Sequence, residues 1–278
     1  MIVDAHAHVW VLDPQKYPWN PIGGYIPQEE ASLSRFLALL DQQNIEHAVL
    51  VQPTPYGWDN SYLMECARGN EERLRRVVLV NPLSAHAGLD LQSLIQNGAN
   101  GLRINLHLNP PATIDNENFM TLWDTIDTLK IPVCLQLTPL HFSMVRTLAE
   151  KYPSIKIILD HLARPEIGSS PMDSPFQDLL ELCEYPNIYV KLSGLNYYSK
   201  QKAPYRDTWQ LLSAVANRFT PQRCMWGSDF PFIEEHWSYA QNLETFKQEL
   251  GFPTTELEWI LGGTAGNIWW NDRSCVED

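Results

Sequence analysis

The chain has 278 residues, 44% of them hydrophobic and 19% charged. That is ordinary globular composition, long enough to bury a large core without disulfides or structural metals, so a disordered chain is excluded. Twenty Lys and Arg against 33 Asp and Glu leave a net charge of -13, and the densest basic run is only Arg73, Arg75 and Arg76, which makes nucleic acid and anionic membranes poor partners.

The chain opens at Met1 without a basic leader or a long apolar stretch, and no run of about 18 apolar residues could span a membrane. Eight β-rich apolar runs follow in order: 2–8, 46–52, 75–81, 101–106, 131–137, 155–161, 187–193 and 223–229. Each has the length of a buried parallel strand. Apolar residues recur at spacings of three and four over 32–43, 60–72, 89–97, 116–130, 142–152, 175–184, 205–219 and 254–270, which marks amphipathic helices. Thr254, Thr255 and Glu256 resemble a capping start, and Gly98, Pro153 and Pro186 read as helix stops. Strict strand–helix alternation to eight, in roughly the 250 residues typical of such a fold, predicts one (β/α)8 TIM barrel domain over 1–278, distorted, with a long loop after strand one. An open doubly wound sheet would want a Gly-rich turn after the first strand, and residues 5–10 have none. The Pro- and Gly-rich stretch 9–29 is read as a lid over the site or as a contact between copies in a homo-oligomer. The five cysteines, Cys66, Cys134, Cys183, Cys224 and Cys275, are odd in number and scattered. They point to a reducing compartment, with the cytoplasm as the expected location.

In such a barrel the active site lies at the C-terminal ends of the strands. There the sequence places His6 and His8 on strand one, Gln52 on two, Asn81 on three, and Arg103, Asn105 and then His107 on four. Gln136 follows on five with His141 beyond it, His161 on six, Lys191 and Ser193 on seven, and Ser228 and Asp229 on eight. Alternation sets Asp4, His6 and His8 on one face and turns Asp160, a structural residue in this reading, away from His161. Of the eight histidines, His6, His8, His107, His141, His161 and His236 fall at the strand ends or in the loops beyond, as does His86, and His47 sits at the opposite rim. Two histidines at i and i+2 on a strand end can hold one metal. A lone His-x-His is as readily a pair of core histidines; the arrival of His161 and Asp229 at the same rim points to a shared site. Arg103 and Lys191 read equally as substrate clamps or structural ion pairs. Gln52, Asn81 and Gln136 read as hydrogen-bonding barrel fillers, and Arg164 and Glu166 as rim charges. Trp10, Trp19 and Trp58 lie in loops on the catalytic side and suit ring stacking or packing.

Asp4-Ala5-His6-Ala7-His8, Leu159-Asp160-His161 and Trp226-Gly227-Ser228-Asp229-Phe230-Pro231 together resemble the amidohydrolase superfamily. Within it they are similar to the amidohydrolase-2 branch, which holds the sugar lactonases, pyrone-dicarboxylate lactonase, sulfomuconolactonase and a group of metal-dependent decarboxylases. Tyr17-Pro18-Trp19, Val51-Gln52-Pro53, Gly101-Leu102-Arg103, Val190-Lys191-Leu192-Ser193-Gly194 and Gly262-Gly263-Thr264-Ala265 extend the likeness to the lactonases over essentially the whole chain. Many metal-dependent members carry a histidine on strand five, where this chain has Gln136. The resemblance therefore implies hydrolysis more firmly than a bound metal.

The expectation is a lactone hydrolase whose substrate is a small lactone or carboxylic acid. Asp229 is the general base for water and the proton donor to the leaving oxygen. His6, His8, His161 and Asp229 bind a divalent zinc or manganese, or the histidines polarise the carbonyl without a metal. His161 is catalytic beside Asp229, and Arg103, Lys191, Gln52 and His141 contact the substrate. The alternatives are a metal-dependent decarboxylase of an unsaturated or aromatic acid, and a non-catalytic binding barrel in which Asp229 is dispensable.

Overall fold

In the computed structural model, which describes residues 1–23, 25–109, 111–165 and 176–271, eight parallel strands lie side by side in chain order. They are β1 Val3–Ala7, β2 His47–Val51, β3 Leu74–Leu79, β4 Gly101–Asn105, β5 Val133–Gln136, β6 Ile157–Leu159, β7 Ile188–Leu192 and β8 Cys224–Trp226. All match the expected runs, β3 starting one residue early at Leu74. Glu166, Pro175 and Cys275 lie outside the described residues.

The helices are α1 Leu33–Gln43, α2 Ser61–Cys66, α3 Ala87–Gln96, α4 Glu117–Leu129, α5 Phe142–Lys151, α6 Phe176–Glu181, α7 Trp209–Phe219, α8 Tyr239–Glu244, α9 Thr254–Glu258 and α10 Thr264–Trp269. Local chemistry sets their ends. The Ser32 side chain accepts from the Arg35 N–H and starts α1, and Asn44 in the left-handed region stops it. Asn116 accepts from the N–H groups of Asn118 and Phe119 and starts α4, which buries Phe119, Leu122, Trp123 and Ile126, the three-and-four spacing of one helix face. Two expectations are corrected. The 60–72 helix is only α2, because the chain turns at Gly69 with φ 82. The 254–270 run is α9 and α10 joined by a π-helical turn, Trp259–Gly263. The six-residue α8 is too short for a periodic signal, and its Ser238–Gln241 capping box fixes it instead.

Apolar side chains form two layers. Inside the barrel, Val3, Ala5, Val49, Val51, Val77, Cys134, Ile158 and Met225 pack together, and Ala265 and Trp269 of α10 join them. The larger layer lies between strands and helices and includes Leu50, Leu102, Ile104, Leu135, Leu159, Leu192 and Trp226. The membership gives the direction of each side chain: Ile158 faces in, so Asp160 two residues on is aimed in as well. The ring closes where β1 meets the chain beyond β8. Ala7 pairs with Phe230, the Asp229 N–H donates to the His6 carbonyl at 2.8 Å and the His8 N–H donates to the Phe230 carbonyl at 2.7 Å. Among the described residues no helix is long and apolar enough to cross a membrane.

Candidate active site

Strict alternation fails on β1, and the failure builds the site. The register shifts between Asp4 and Ala7. Val3 and Ala5 face the barrel interior and Ala7 faces the outer layer, so a bulge reverses the order in between and brings His6 and His8 inward. Asp4 does not share their face. Its carboxylate accepts from the Ser228 N–H at 2.9 Å, the Ser228 hydroxyl at 2.6 Å and the Tyr239 hydroxyl at 2.8 Å, which ties β1 to the last strand. Gly227 permits the close approach, since a Cβ there would stand 2.7 Å from the His6 Cβ.

A second irregularity follows β6. His161, Leu162, Ala163 and Arg164 have φ of 54, 52, 58 and 48°, a left-handed turn made without glycine. Each such residue costs roughly 1–2 kcal/mol. The turn swings His161 back into the barrel mouth after Asp160, so neighbours that a strand would set on opposite faces both serve one centre. Asp160 does not point away. It accepts from Arg103 Nε at 2.9 Å, pairs with Lys191 Nζ at 3.0 Å and stands 3.4 Å from His6 Nδ1. Asp229 is also left-handed, with φ 61.

The rings are all held from behind through Nδ1. His6 Nδ1 meets Lys191 Nζ at 2.9 Å, His8 Nδ1 meets the Val51 carbonyl at 2.7 Å, and His161 Nδ1 meets Ser193 Oγ at 3.0 Å. Their Nε2 atoms converge in front. Those of His6 and His8 are 3.1 Å apart, and Asp229 Oδ1 lies 3.7, 3.5 and 4.0 Å from Nε2 of His6, His8 and His161. Asp229 Oδ1 has no hydrogen-bond partner among the described residues, while Oδ2 accepts from the Tyr197 hydroxyl at 2.5 Å. All four clustered residues are buried.

Burial, then the Lys191 charge, keeps His6 well below its ordinary pKa against the pull of Asp160. Burial takes His161 down to about 4 despite Asp229 and Asp160. Burial alone would raise Asp229, but the histidines around it, His161 foremost, outweigh that and hold the carboxyl below the usual range. Burial, the Asp229 charge and the hydrogen bond to it push Tyr197 well above 10. At neutral pH the centre is a carboxylate with a phenol donor behind it, facing uncharged His6 and His161.

In front lies a cavity of about 230 Å³ lined by His8, Gly23, Tyr25, Pro53, Thr54, Arg103, His107, Gln136, His161, Arg164, Tyr197, Asp229 and Phe232. Of the expected substrate contacts, only Arg103 lines it. Lys191 is fully buried beneath His6, with Cys134 Sγ at 3.4 Å. Gln52 donates to the Asp59 carbonyl at 2.7 Å. His141 lies against the Asn109 carbonyl at 3.0 Å and the Thr138 hydroxyl at 3.2 Å. None of these three lines the cavity, although Gln52 Oε1 is buried without a hydrogen-bond partner among the described residues. Trp10, Trp19 and Trp58 also stay out of it: Trp10 donates to the Glu29 carbonyl, Trp19 stacks on Tyr56, and Trp58 borders a separate outer groove of about 950 Å³ near α2 and α3. The aromatic wall is Tyr25, Tyr197 and Phe232, none singled out from sequence, because loop aromatics carry no periodic signal.

The model of the amidohydrolase family Amidohydro_2 matches residues 3–269. This chain belongs to that family. The L-fucono-1,5-lactonase of Burkholderia ambifaria is 27% identical over 234 residues, covering 82% of this chain and 80% of that protein. The 4-sulfomuconolactone hydrolase of Rhizobium radiobacter is 26% identical, covering 82% and 75%. A zinc-bound amidohydrolase from Burkholderia multivorans shares the fold at a TM-score of 0.80 with 22% identity, covering 96% of this chain and 98% of that one.

In this amidohydrolase the clustered atoms also fit a divalent ion. His6, His161 and Asp229 offer ligand atoms within 4.8 Å of one another, and His8 Nε2 borders them. An ion held at roughly 2.0–2.2 Å sets tetrahedral ligands roughly 3.3 Å apart; the pairs here stand 3.1, 3.5, 3.7 and 4.0 Å apart, so the set would draw in slightly around an ion. The orphaned Asp229 Oδ1 and the Nδ1 supports are what a metal-binding set requires. His8 must donate from Nδ1 to the Val51 carbonyl, whereas His161, on a hydroxyl that can donate or accept, and His6 can each carry the proton on either nitrogen. For His6, donating from Nδ1 to Asp160 leaves the Nε2 lone pair for a metal, whereas accepting from Lys191 puts the proton on Nε2, facing His8.

Proposed function

We propose that this amidohydrolase opens a small lactone by attack of water on the ring carbonyl. The carrying observation is Asp229 Oδ1, buried without a partner among the described residues and facing three imidazole Nε2 atoms. The two curated relatives, named for cyclic esters, support the same reading. Asp229 Oδ1 takes the water proton, and the Tyr197 hydroxyl holds Oδ2 and so fixes the carboxylate's direction. In the metal-free arrangement the Ser193 hydroxyl donates to His161 Nδ1, so His161 carries its proton on Nε2 and donates it where negative charge develops on the carbonyl oxygen; one such contact is worth roughly 3–4 kcal/mol. The acyl C–O bond breaks, and Asp229 returns the proton to the departing ring oxygen, leaving a hydroxy acid. A divalent ion, zinc or manganese, held by His6, His8, His161 and Asp229 would supply Lewis-acid polarisation and a more acidic water. Arg103 is the expected substrate contact from β4.

The test is ring opening of a set of γ- and δ-lactones, followed by proton release, for the wild type and Asp229→Asn. The expected loss is about a thousandfold or more in kcat with an unchanged circular dichroism spectrum. Retained turnover overturns the assignment. Metal per chain, measured after purification without added metal or chelator, decides the His6 tautomer: near-stoichiometric metal selects the Nε2 ligand, and its absence with activity intact selects the hydrogen-bonded cluster. Release of carbon dioxide instead of protons would favour the decarboxylase; Gln136, standing where the resemblance would have a metal-binding histidine, argues against it.

A further inference from the structure

The cations around the centre are not answered alike. Arg103 and Lys191 share Asp160, and Asp229 faces the imidazoles and Tyr197. Arg164 differs. No carboxylate among the described residues lies within ion-pair distance of it, its Nε is buried without a partner among them, and its guanidinium stacks on the Tyr197 ring at 4.4 Å. Arg164 nevertheless lines the cavity beside His107, whose Nδ1 is likewise unpartnered among the described residues. A half-buried guanidinium whose Nε is shut off from water without a partner among the described residues is costly unless an anion meets it, and its planar fork suits a carboxylate. The left-handed turn that places His161 also places Arg164, so recognition and chemistry are fixed by one piece of backbone. The Tyr197 ring lies under Arg164 and its hydroxyl reaches Asp229, which sets the two groups about one aromatic ring apart.

We infer that Arg164 is the specificity-determining residue of the site and selects lactones that bear a carboxylate about one ring-width from the scissile carbonyl. This rests on the lactone reading above and narrows it: a neutral sugar lactone leaves Arg164 unanswered. Arg103 lines the same cavity and shares the anion, but its Nε stays on Asp160.

Two measurements on the full-length protein separate the inference from the reading it rests on. The first is calorimetric binding of tetrahydrofuran-2-carboxylate and its carboxamide, rings with no carbonyl to hydrolyse, to the wild type, Arg164→Ala, Arg164→Lys and, as a charge control on the outer face of α7, Arg218→Ala. The second is kcat/KM for a γ-lactone carboxylate relative to the matching carboxamide. The wild type and Arg218→Ala should favour the carboxylate in both. Arg164→Ala should weaken carboxylate binding and collapse the kinetic preference by on the order of 30- to 100-fold, mainly through KM, and Arg164→Lys should restore part of each. A wild type that does not prefer the carboxylate probe, or an Arg164→Ala protein that binds it as the wild type does, overturns the inference. Binding of the probe with neither lactone opened overturns the lactone reading and leaves Arg164 as an anion clamp.

Discussion

Gly194 has φ 65, and a Cβ there would stand 2.6 Å from His161 Nδ1 and 2.8 Å from the Tyr197 ring. Gly194→Ala therefore strains the backbone and displaces the two residues that frame Asp229. The expected result is a fall in kcat of about tenfold or more, alongside about 1 kcal/mol of stability, read from steady-state kinetics and urea unfolding. Lys191 behaves differently. It is a buried cation shared between Asp160 and His6, and Lys191→Met leaves Asp160 with Arg103 as its one cation. Breaking such a pair costs about 3–5 kcal/mol, so unfolding should shift strongly; a change confined to KM would return Lys191 to the substrate. Most of the centre was legible one residue at a time: His6, His8, His161, Asp229 and Arg103 all stand at strand ends in the sequence. Tyr197 and the anion role of Arg164 were not legible: Tyr197 is a loop aromatic with no periodic signal, and Arg164 depends on a left-handed turn made without glycine.

At the scale of elements, what alternation predicted was right until the backbone stopped alternating. Strand positions and the barrel followed from apolar runs of the right length, since burial of both strand faces writes itself into composition. The bulge in β1 and the left-handed turn after β6 do not: they turn His6, His8 and His161 inward, so Asp4 ends on the face opposite His6 and His8, and Asp160 on the same side as His161. The turn can be tested directly. Ala163 has φ 58 and is fully buried, so the β-branched Ala163→Val should cost about 2 kcal/mol or more and lower turnover with it. Asn116→Ala, which removes the cap of α4, supplies the contrast: about 1 kcal/mol of stability with kinetic constants unchanged, by the same two measurements.

For the whole molecule the burial of neutral histidines sets a pH limit. His161 has a folded pKa of about 4 against roughly 6.5 when unfolded. Between those values the unfolded chain binds a proton that the folded chain refuses, so stability rises with pH through the window and is lost on acidification. The loss from His161 alone is on the order of 3 kcal/mol between pH 7 and 4. His6 is displaced in the same direction, whereas Asp229, held low, yields only at more acid pH. A melting temperature flat from neutral pH down to 4 would contradict this; His161→Asn should lose part of the slope.

The seam between β1 and the chain beyond β8 sets the order in which this protein can come into being. His6 and His8 precede the other seven strands in chain order, and Asp229 follows only after those strands and their helices. The backbone bonds that place Asp229 against His6 and His8 are the ones that shut the ring. A chain with seven strands paired has a nearly complete scaffold and Asp229, the proposed base, out of position. Catalysis thus begins only with closure, and the first turnover is itself the report that the last strand has found the first.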